Sequence, residues 1–212
     1  MADNVVRNIA PFINDRFLIT SPWWNIRTDP ATGEPKLHRG LDIATSGSKP
    51  VYSMLTGIVH SLGSELSPTG RGNWIIIKDN DENSPTYGYA TLYLHLKDKP
   101  NFIVGQHVNV GDFVAYEGST GYSTGIHLHV EMQDLNRFDN KWHTSNEQSD
   151  YINVPEFMGI DNVKGTWWIY NGTVPPIPKP KRGKNNSFKW VLYAKKLRDR
   201  RLKYWQFIKS MI

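Results

Sequence analysis

Short apolar runs alternate with turn residues through the first 150 residues, and this pattern predicts a domain built mainly from β-strands. No long stretch with the 3.6-residue period of an amphipathic helix occurs before residue 150. The run at 73–78 is almost continuously apolar, which is typical of a strand buried on both faces. We therefore predict an all-β or β-dominated domain with an antiparallel sheet, whose strands lie at 17–20, 51–62, 73–78, 89–96, 105–112, 113–117 and 127–133.

The C-terminal part of the chain has a different pattern. Four prolines between residues 173 and 180 predict a stiff, extended linker. Residues 188–212 contain neither Gly nor Pro, and their large apolar side chains fall near one helical face that Arg201 interrupts, which predicts a basic amphipathic helix. The predicted division is an N-terminal segment at 1–16, a domain at 17–158, a Pro-rich linker at 159–183 and a helical docking segment at 184–212.

Charge divides the chain in the same place. The net charge is +5, but residues 179–212 contain 12 of the 25 Lys and Arg and one of the 20 acidic residues, so this segment carries +11 and the preceding 178 residues carry −6. A basic apolar helix can bind nucleic acid, an anionic surface such as a membrane or teichoic acid, or another protein. Because its aromatic and aliphatic side chains exceed what a solvated arm needs, we favour docking to a partner protein over nucleic acid.

The composition also limits the chemistry that the chain can support. It contains no cysteine, so disulfides and thiolate zinc sites are excluded, and a metal would be held by His, Asp or Glu, as in catalytic sites. The first residues are polar and no run approaches transmembrane length, so we expect a protein that is soluble when made and has no signal peptide.

Three histidine motifs are the candidates for a site. His127 and His129 are separated by one residue in an apolar run, so on a strand both side chains would project from the same face. Such a pair can supply one metal ligand and one neighbouring proton-transfer group. His38 with Asp42, and His95 within another apolar run, are the other two motifs. Taken singly, each is compatible with a turn histidine or a half-buried strand histidine.

The order of these motifs resembles that of the lysostaphin/LytM-type zinc endopeptidases, which cut peptidoglycan cross-bridges. The resemblance covers about residues 17–133. The matching segments are residues 38–44, 50–52, 72–77, 92–96, 105–108 and 118–131.

This resemblance implies a zinc site and a role for each histidine. His38, Asp42 and His129 match the family's three zinc ligands, and His95 and His127 match its two catalytic histidines. Two imidazoles and one carboxylate leave a position on zinc open for water, whose pKa zinc lowers to about 7. One histidine can accept the water's proton while the other steadies the oxyanion or protonates the leaving amine, and the assignment between the two stays open.

Two departures from the family bear on the substrate. Arg27 resembles the Arg of members with a Phe-Gly-x-Arg pattern, which favours stem-peptide cross-links over glycine bridges. The connections at 63–72 and 79–88 are longer than is usual, and we expect them to form walls of a substrate groove.

Other motifs are weaker. Residues 121–125 fit the G-x-S-x-G of serine hydrolases, but they lead into a predicted strand where that motif requires a helix. Residues 79–84 begin like a calcium loop but lack its sixth-position Gly, so we interpret them as a solvated turn. The remaining histidines, for which surface or structural roles are expected, are His60, His107 and His143.

The sequence thus predicts a zinc-dependent endopeptidase that hydrolyses the peptide cross-links of bacterial peptidoglycan. We expect it in a bacteriophage virion, at the tail tip or tail knob, where it would open the cell wall during entry with residues 184–212 docked to a virion protein. The alternatives are a non-catalytic assembly or binding module on the same fold and a host enzyme that remodels the wall.

Overall fold

A computed structural model describes residues 4–5, 8–29 and 32–171 of the chain. The predicted docking helix and most of the predicted linker lie outside these residues. The strands are β1 Asn4–Val5, β2 Arg16–Ser21, β3 Asn25–Thr28, β4 Pro35–His38, β5 Leu41–Ala44, β6 Pro50–Tyr52, β7 Gly57–Glu65, β8 Gly72–Lys78, β9 Tyr89–Leu96, β10 His107–Val108, β11 Phe113–Tyr116, β12 Leu128–Asp134 and β13 Trp167–Ile169. One α-helix, α1 Val154–Met158, and two 3-10 helices, Leu135–Arg137 and Gln148–Asp150, complete the described elements.

The main sheet has nine strands in the order β1-β13-β2-β5-β12-β9-β8-β7-β10. All of its pairings are antiparallel except β1 with β13, which confirms the predicted β-dominated fold with an antiparallel sheet. Two small sheets, β11-β6 and β3-β4, flank it. The hairpin β3-β4 matters most here because its second strand ends at His38.

The core lies on both faces of the central strands, as the apolar run at 73–78 predicted. Ile75 and Ile77 of β8 pack in the larger apolar cluster, whereas Ile76, which points to the opposite face, packs in a smaller cluster. All three are essentially buried. Close packing in the core holds the central strands β5, β12 and β9 rigidly, and these strands carry Asp42, His129 and His95.

The packed unit extends past both predicted domain boundaries. Phe12, in the predicted N-terminal segment, is fully buried in the core. Strand β13 pairs with β2 and buries Trp168, whereas residues 159–183 are predicted to form an extended linker. Residues 159–171 are therefore part of the sheet domain, because an aromatic strand covers the edge that β2 would otherwise expose. In the described residues, no helix is long and apolar enough to span a membrane.

Candidate active site

Three strand positions bring the predicted metal ligands together. His38 is the last residue of β4, Asp42 lies on β5, and His129 on β12 is the direct antiparallel partner of Asp42. All three side chains are buried. Gly40 makes this approach possible, since a Cβ there would lie 2.4 Å from Nε2 of His129.

The ligating atoms of these side chains converge on one point. Oδ1 of Asp42 lies 3.0 Å from Nε2 of His38 and 2.7 Å from Nδ1 of His129, and the two nitrogens are 3.1 Å apart. Zinc ligands at about 2.0–2.2 Å in tetrahedral arrangement are separated by roughly 3.3 Å. Because the observed separations are only slightly shorter, this set of two nitrogens and one oxygen could hold a metal ion.

Outer partners fix which nitrogen of each histidine faces this point. Nδ1 of His38 lies 3.0 Å from the carbonyl oxygen of Pro22, and Nε2 of His129 lies 2.9 Å from Oε1 of Glu131. Both oxygens only accept hydrogen bonds, so these nitrogens carry protons and donate them. The opposite nitrogens, Nε2 of His38 and Nδ1 of His129, are left to face Asp42, as metal ligation requires.

The electrostatics of the cluster favour a cation. Burial acts to raise the pKa of Asp42, but hydrogen bonds from His129 and His38 and their charges hold it well below its usual value. Burial likewise acts to lower the pKa of His129, but Asp42 and Glu131 together raise it to about 9. A metal and a proton therefore compete for Nδ1 of His129 beside an ionised carboxylate. The other carboxylate oxygen of Asp42 is 3.2 Å from the guanidinium of Arg27.

The two predicted catalytic histidines lie beside this cluster. The ring centroid of His95 is 4.8 Å from that of His127 and 5.9 Å from that of His129. Nδ1 of His95 donates to the carbonyl oxygen of Thr120 at 2.9 Å, and Nδ1 of His127 donates to that of Gly125 at 2.9 Å. In each ring, Nε2 is thus the nitrogen that can exchange a proton with a substrate.

Both of these imidazoles are neutral near pH 7. Burial lowers the pKa of His95 to about 3, with further contributions from His129 and His127. Burial also lowers the pKa of His127, against the opposing charge of Asp42. A neutral imidazole can accept a proton at once, and Nε2 of His127 lies 3.8 Å from Oδ1 of Asp42.

A local backbone distortion turns His95 towards the cluster. Leu94 is the direct partner of His129, so in a regular strand the next residue, His95, would point to the opposite face. His95 instead has a φ of +61°, in the left-handed region, and both Leu94 and His95 line the same cleft. A non-glycine residue in this region stores strain that the surrounding structure must hold, and such strain concentrates at functional sites.

Comparison with known proteins identifies the family. Residues 36–143, just over half of the chain, match the family model described as Peptidase family M23. The chain belongs to peptidase family M23. The matched range contains His38, Asp42, His95, His127 and His129.

Individual M23 relatives agree with this. The peptidoglycan DD-endopeptidase ShyB of Vibrio cholerae is 40% identical over 119 residues, which are 56% of this chain and 26% of ShyB. Lysostaphin of Staphylococcus simulans is 35% identical over 104 residues, which are 49% of this chain and 19% of lysostaphin. The solution structure of lysostaphin superposes with a TM-score of 0.51 at 24% identity, covering 78% of this chain and 58% of that one, which shows the shared fold. The chain spans only about a fifth to a third of the relatives whose sequences it matches.

The cluster of His38, Asp42 and His129 opens into a cleft of about 510 Å³, which all five predicted site residues line. Its walls are the hairpin β3-β4, the loop before β12, and residues 69–71. Of the connection at 63–72, which was predicted to form a wall of a substrate groove, residues 69–71 line this cleft. The prediction for 79–88 is wrong, because none of these residues lines the cleft. This connection forms hydrogen bonds within itself, since Asp79 accepts from Ser84 and Thr86.

The sequence did not indicate a role at the site for Glu131 or for the contacts that Asp29 makes with Lys36 and Tyr122. Glu131 could have been found, since it lies two residues after His129 on the same strand and so shares its face. Asp29 is buried, binds Lys36 at 2.8 Å and accepts a hydrogen bond from Tyr122, which joins the hairpin to the opposite loop. That contact spans 93 residues of sequence and has no local signal.

Proposed function

We propose that this M23 chain is a zinc-dependent endopeptidase that hydrolyses peptide cross-links of bacterial peptidoglycan. The observation that carries the proposal is the convergence of His38, Asp42 and His129 on one point, with two neutral imidazoles beside it. A purely structural histidine cluster has no need for unprotonated nitrogens that face an open cleft.

In this proposal His38, Asp42 and His129 hold the zinc ion. When bound there, zinc would supply a Lewis acid that lowers the pKa of a water molecule to about 7. Glu131 and the carbonyl of Pro22 keep both imidazole ligands in the tautomer that ligation requires. Arg27 occupies the second carboxylate oxygen of Asp42, which leaves the first one for the metal.

His95 and His127 move protons. Each is neutral and has its Nδ1–H bonded to a backbone carbonyl, so each presents Nε2 to the cleft with a lone pair. One of them accepts the proton of the attacking water at Nε2, and the other, once protonated, stabilises the tetrahedral oxyanion or delivers a proton to the leaving amine. Burial of both rings excludes water that would otherwise compete for these positions.

Peptidoglycan as the substrate is supported by the relatives. ShyB is named as a peptidoglycan DD-endopeptidase, and Mpg of Neisseria meningitidis, 34% identical over 127 residues, as a DD-carboxypeptidase/endopeptidase. The family-model match over residues 36–143 contains all five predicted site residues. Arg27 at the cleft favours stem-peptide cross-links over glycine bridges as the bond that is cut.

Mass spectrometry of the fragments that the protein releases from purified peptidoglycan tests this function and names the bond. We expect cleavage by the zinc-loaded chain, loss of cleavage after chelation, and recovery when zinc is restored. A His129→Ala variant serves as the matched inactive control. A folded protein with a full complement of zinc that releases no fragment would favour the alternative of a non-catalytic module.

We further propose that residues 184–212 dock the enzyme to a partner protein in a bacteriophage virion. The support is the charge of +11 on residues 179–212 against −6 on the rest of the chain, and the prolines that separate the two. Proteomic analysis of purified phage particles tests this placement. Detection of the chain only in the wall fraction of uninfected cells would favour the host-enzyme alternative.

A further inference from the structure

The cleft is lined by four positively charged side chains, Arg27, Lys36, Arg39 and Arg71. Two of them are neutralised by carboxylates of the cleft itself, because Arg27 binds Asp42 at 3.2 Å and Lys36 binds Asp29 at 2.8 Å. Arg39 is hydrogen-bonded to a neighbouring loop, where its guanidinium donates to the carbonyl oxygen of Ser145 and to the side chain of Asn146.

Arg71 differs from the other three. Among the residues that the structure describes, no carboxylate lies within 4.0 Å of its guanidinium, and its side chain forms no hydrogen bond. The carboxylate of Glu65 accepts a hydrogen bond from the backbone N–H of Arg71 at 3.4 Å and not from its guanidinium. Its guanidinium carbon instead lies 5.6 Å from the ring centroid of Trp74. Arg71 is a half-buried residue of the cleft lining, and the five N–H donors of its guanidinium thus have no partner among the described residues.

Trp74 gives this cation a fixed support. The indole lies against Gly63 of the neighbouring strand, where an added Cβ would stand 2.7 Å from the ring. Only a residue without a side chain allows the ring to lie this close to the strand. A planar guanidinium above a fixed aromatic ring loses little freedom when it binds a ligand, so the arrangement favours paired hydrogen bonds to a planar anion.

Arg71 is also close to the proton-transfer groups. Its carbonyl oxygen accepts a hydrogen bond from the backbone N–H of His95 at 3.3 Å, and Thr69 and Gly70 line the cleft with it. The third carboxylate of the cleft, Glu131, is bonded to His129. The charge of Arg71 is therefore not neutralised by the cleft's own acids.

We propose that Arg71 binds a free carboxylate of the peptide substrate, either a side-chain carboxylate or a terminal one, near the bond that is cut. This inference rests on the proposed peptidase function and names the chemistry that the cleft selects. Arg71 is then a specificity-determining residue, since paired guanidinium–carboxylate hydrogen bonds are strong and planar. A substrate that lacks the carboxylate leaves the guanidinium unpaired and is rejected.

The test compares one cross-linked peptide, prepared from peptidoglycan, in three forms: with free carboxylates, with terminal carboxylates amidated, and with side-chain carboxylates amidated. We expect one amidation to lower kcat/KM of the full chain by about tenfold to a hundredfold, mainly through KM. The form that loses activity identifies the carboxylate. The substitution Arg71→Ala should lower kcat/KM for the free peptide by a similar factor. The variant should then cut the free and the amidated peptide at equal rates.

Two further variants complete the design. Arg71→Lys keeps the charge but not the planar fork, so we expect an intermediate rate. Arg16→Ala is the matched control, because Arg16 also lies over a tryptophan, Trp167, at 5.0 Å but does not line the cleft. It should leave the discrimination unchanged. Zinc content, measured for each variant, excludes damage to the metal centre.

The outcomes separate this inference from the proposed function. If the wild type cuts all three peptides equally, or if Arg71→Ala still discriminates between them, the role of Arg71 is overturned while the peptidase function stands. If the wild type with bound zinc cuts neither these peptides nor purified peptidoglycan, the proposed function itself fails.

Discussion

Asp42 and His129 are direct partners on neighbouring antiparallel strands, and Oδ1 of Asp42 lies 2.7 Å from Nδ1 of His129. They are 87 residues apart in sequence. Because strands β5 and β12 are central in the sheet and bury Leu41, Ile43, Leu128 and Val130 in the core, their backbones cannot move apart without breaking it. Two of the three proposed metal ligands are therefore positioned before any ion binds, which lowers the cost of binding.

His129→Ala and His127→Ala should separate metal binding from proton transfer. We expect His129→Ala to lose most of its zinc, because Nδ1 of His129 is one of the three converging atoms. His127→Ala should keep its zinc and lose activity by about a hundredfold or more, the scale of general acid–base groups. Metal analysis of the purified proteins and peptide-cleavage rates are the measurements. His107→Ala, at an exposed histidine outside the cleft, is the control. Zinc loss in His127→Ala together with zinc retention in His129→Ala would reverse the assignment.

Glu131→Gln should weaken zinc binding without removing a ligand. Glu131 accepts the Nε2–H of His129 at 2.9 Å, and its charge makes the opposite nitrogen a better donor to a metal. The amide keeps an accepting oxygen but lacks the charge. We expect the zinc Kd to rise by about tenfold to a hundredfold, measured by competition with a chelator. Glu82→Gln, at an exposed position, should leave it unchanged. An unaltered zinc Kd in the Glu131→Gln variant would show that the charge of Glu131 does not support metal binding.

The parts of the fold and site that the sequence predicted are those with local signals. The apolar run around Ile76 predicts a strand buried on both faces because strand periodicity is absent there. His127 and His129 could be placed on one face because strand geometry alternates with a period of two. These rules depend only on neighbouring residues, so they hold before the tertiary structure is known.

The parts that it did not predict depend on contacts between distant residues. The family resemblance predicted His95 at the site, but strand periodicity alone places it on the opposite face, and its left-handed φ brings it to the cluster. In that conformation Nδ1 of His95 donates to the carbonyl oxygen of Thr120, 25 residues away. Strand β13 lies in the segment that is predicted to be a linker; it is three residues long, and its pairing with β2 has no signal in the sequence around it.

The left-handed backbone at His95 should reverse the order of stability that glycine and alanine variants usually have in a strand. An L-residue at φ +61° is strained, whereas glycine is not, so we expect His95→Gly to be more stable than His95→Ala by about 1 kcal/mol. Within strands the usual order is the opposite. Thr91 on the same strand has no positive φ, and Thr91→Gly should be less stable than Thr91→Ala by about 0.5–1 kcal/mol. Denaturant unfolding measures both pairs, and the same order in the two pairs would refute a strained His95.

Glu117 should make stability depend on pH at a place remote from the metal centre. It is fully buried, and burial raises the pKa of its carboxyl against the hydrogen bonds that Thr45 donates to it. Between the unfolded-state pKa of about 4.3 and the raised native pKa, the native state binds more protons than the unfolded state. The free energy of unfolding therefore falls as pH rises through this window.

Glu117→Gln removes this titration. We expect the Tm of the variant to rise relative to wild type as pH increases from about 4 to 7, since the amide stays neutral throughout. Comparing the two proteins at each pH cancels the titration of all other groups. Glu82→Gln should follow the wild-type curve, and parallel curves for Glu117→Gln and wild type would contradict the raised pKa.

Two truncated chains should define the C-terminal boundary of the folded unit. A chain that ends at Val174 keeps strand β13, and we expect it to fold, bind zinc and cut soluble peptidoglycan fragments at close to the full-length rate. A chain that ends at Met158 loses the pairing of β13 with β2 and the burial of Trp168 and Tyr170. Two buried aromatic side chains contribute several kcal/mol, so this shorter chain should melt at a much lower temperature or be insoluble. Thermal unfolding, zinc content and cleavage rate, measured for the two truncated chains, show where the folded unit ends. If the chain ending at Val174 is itself unstable and inactive, residues 175–212 belong to the fold, and their proposed role as a separate docking segment is wrong.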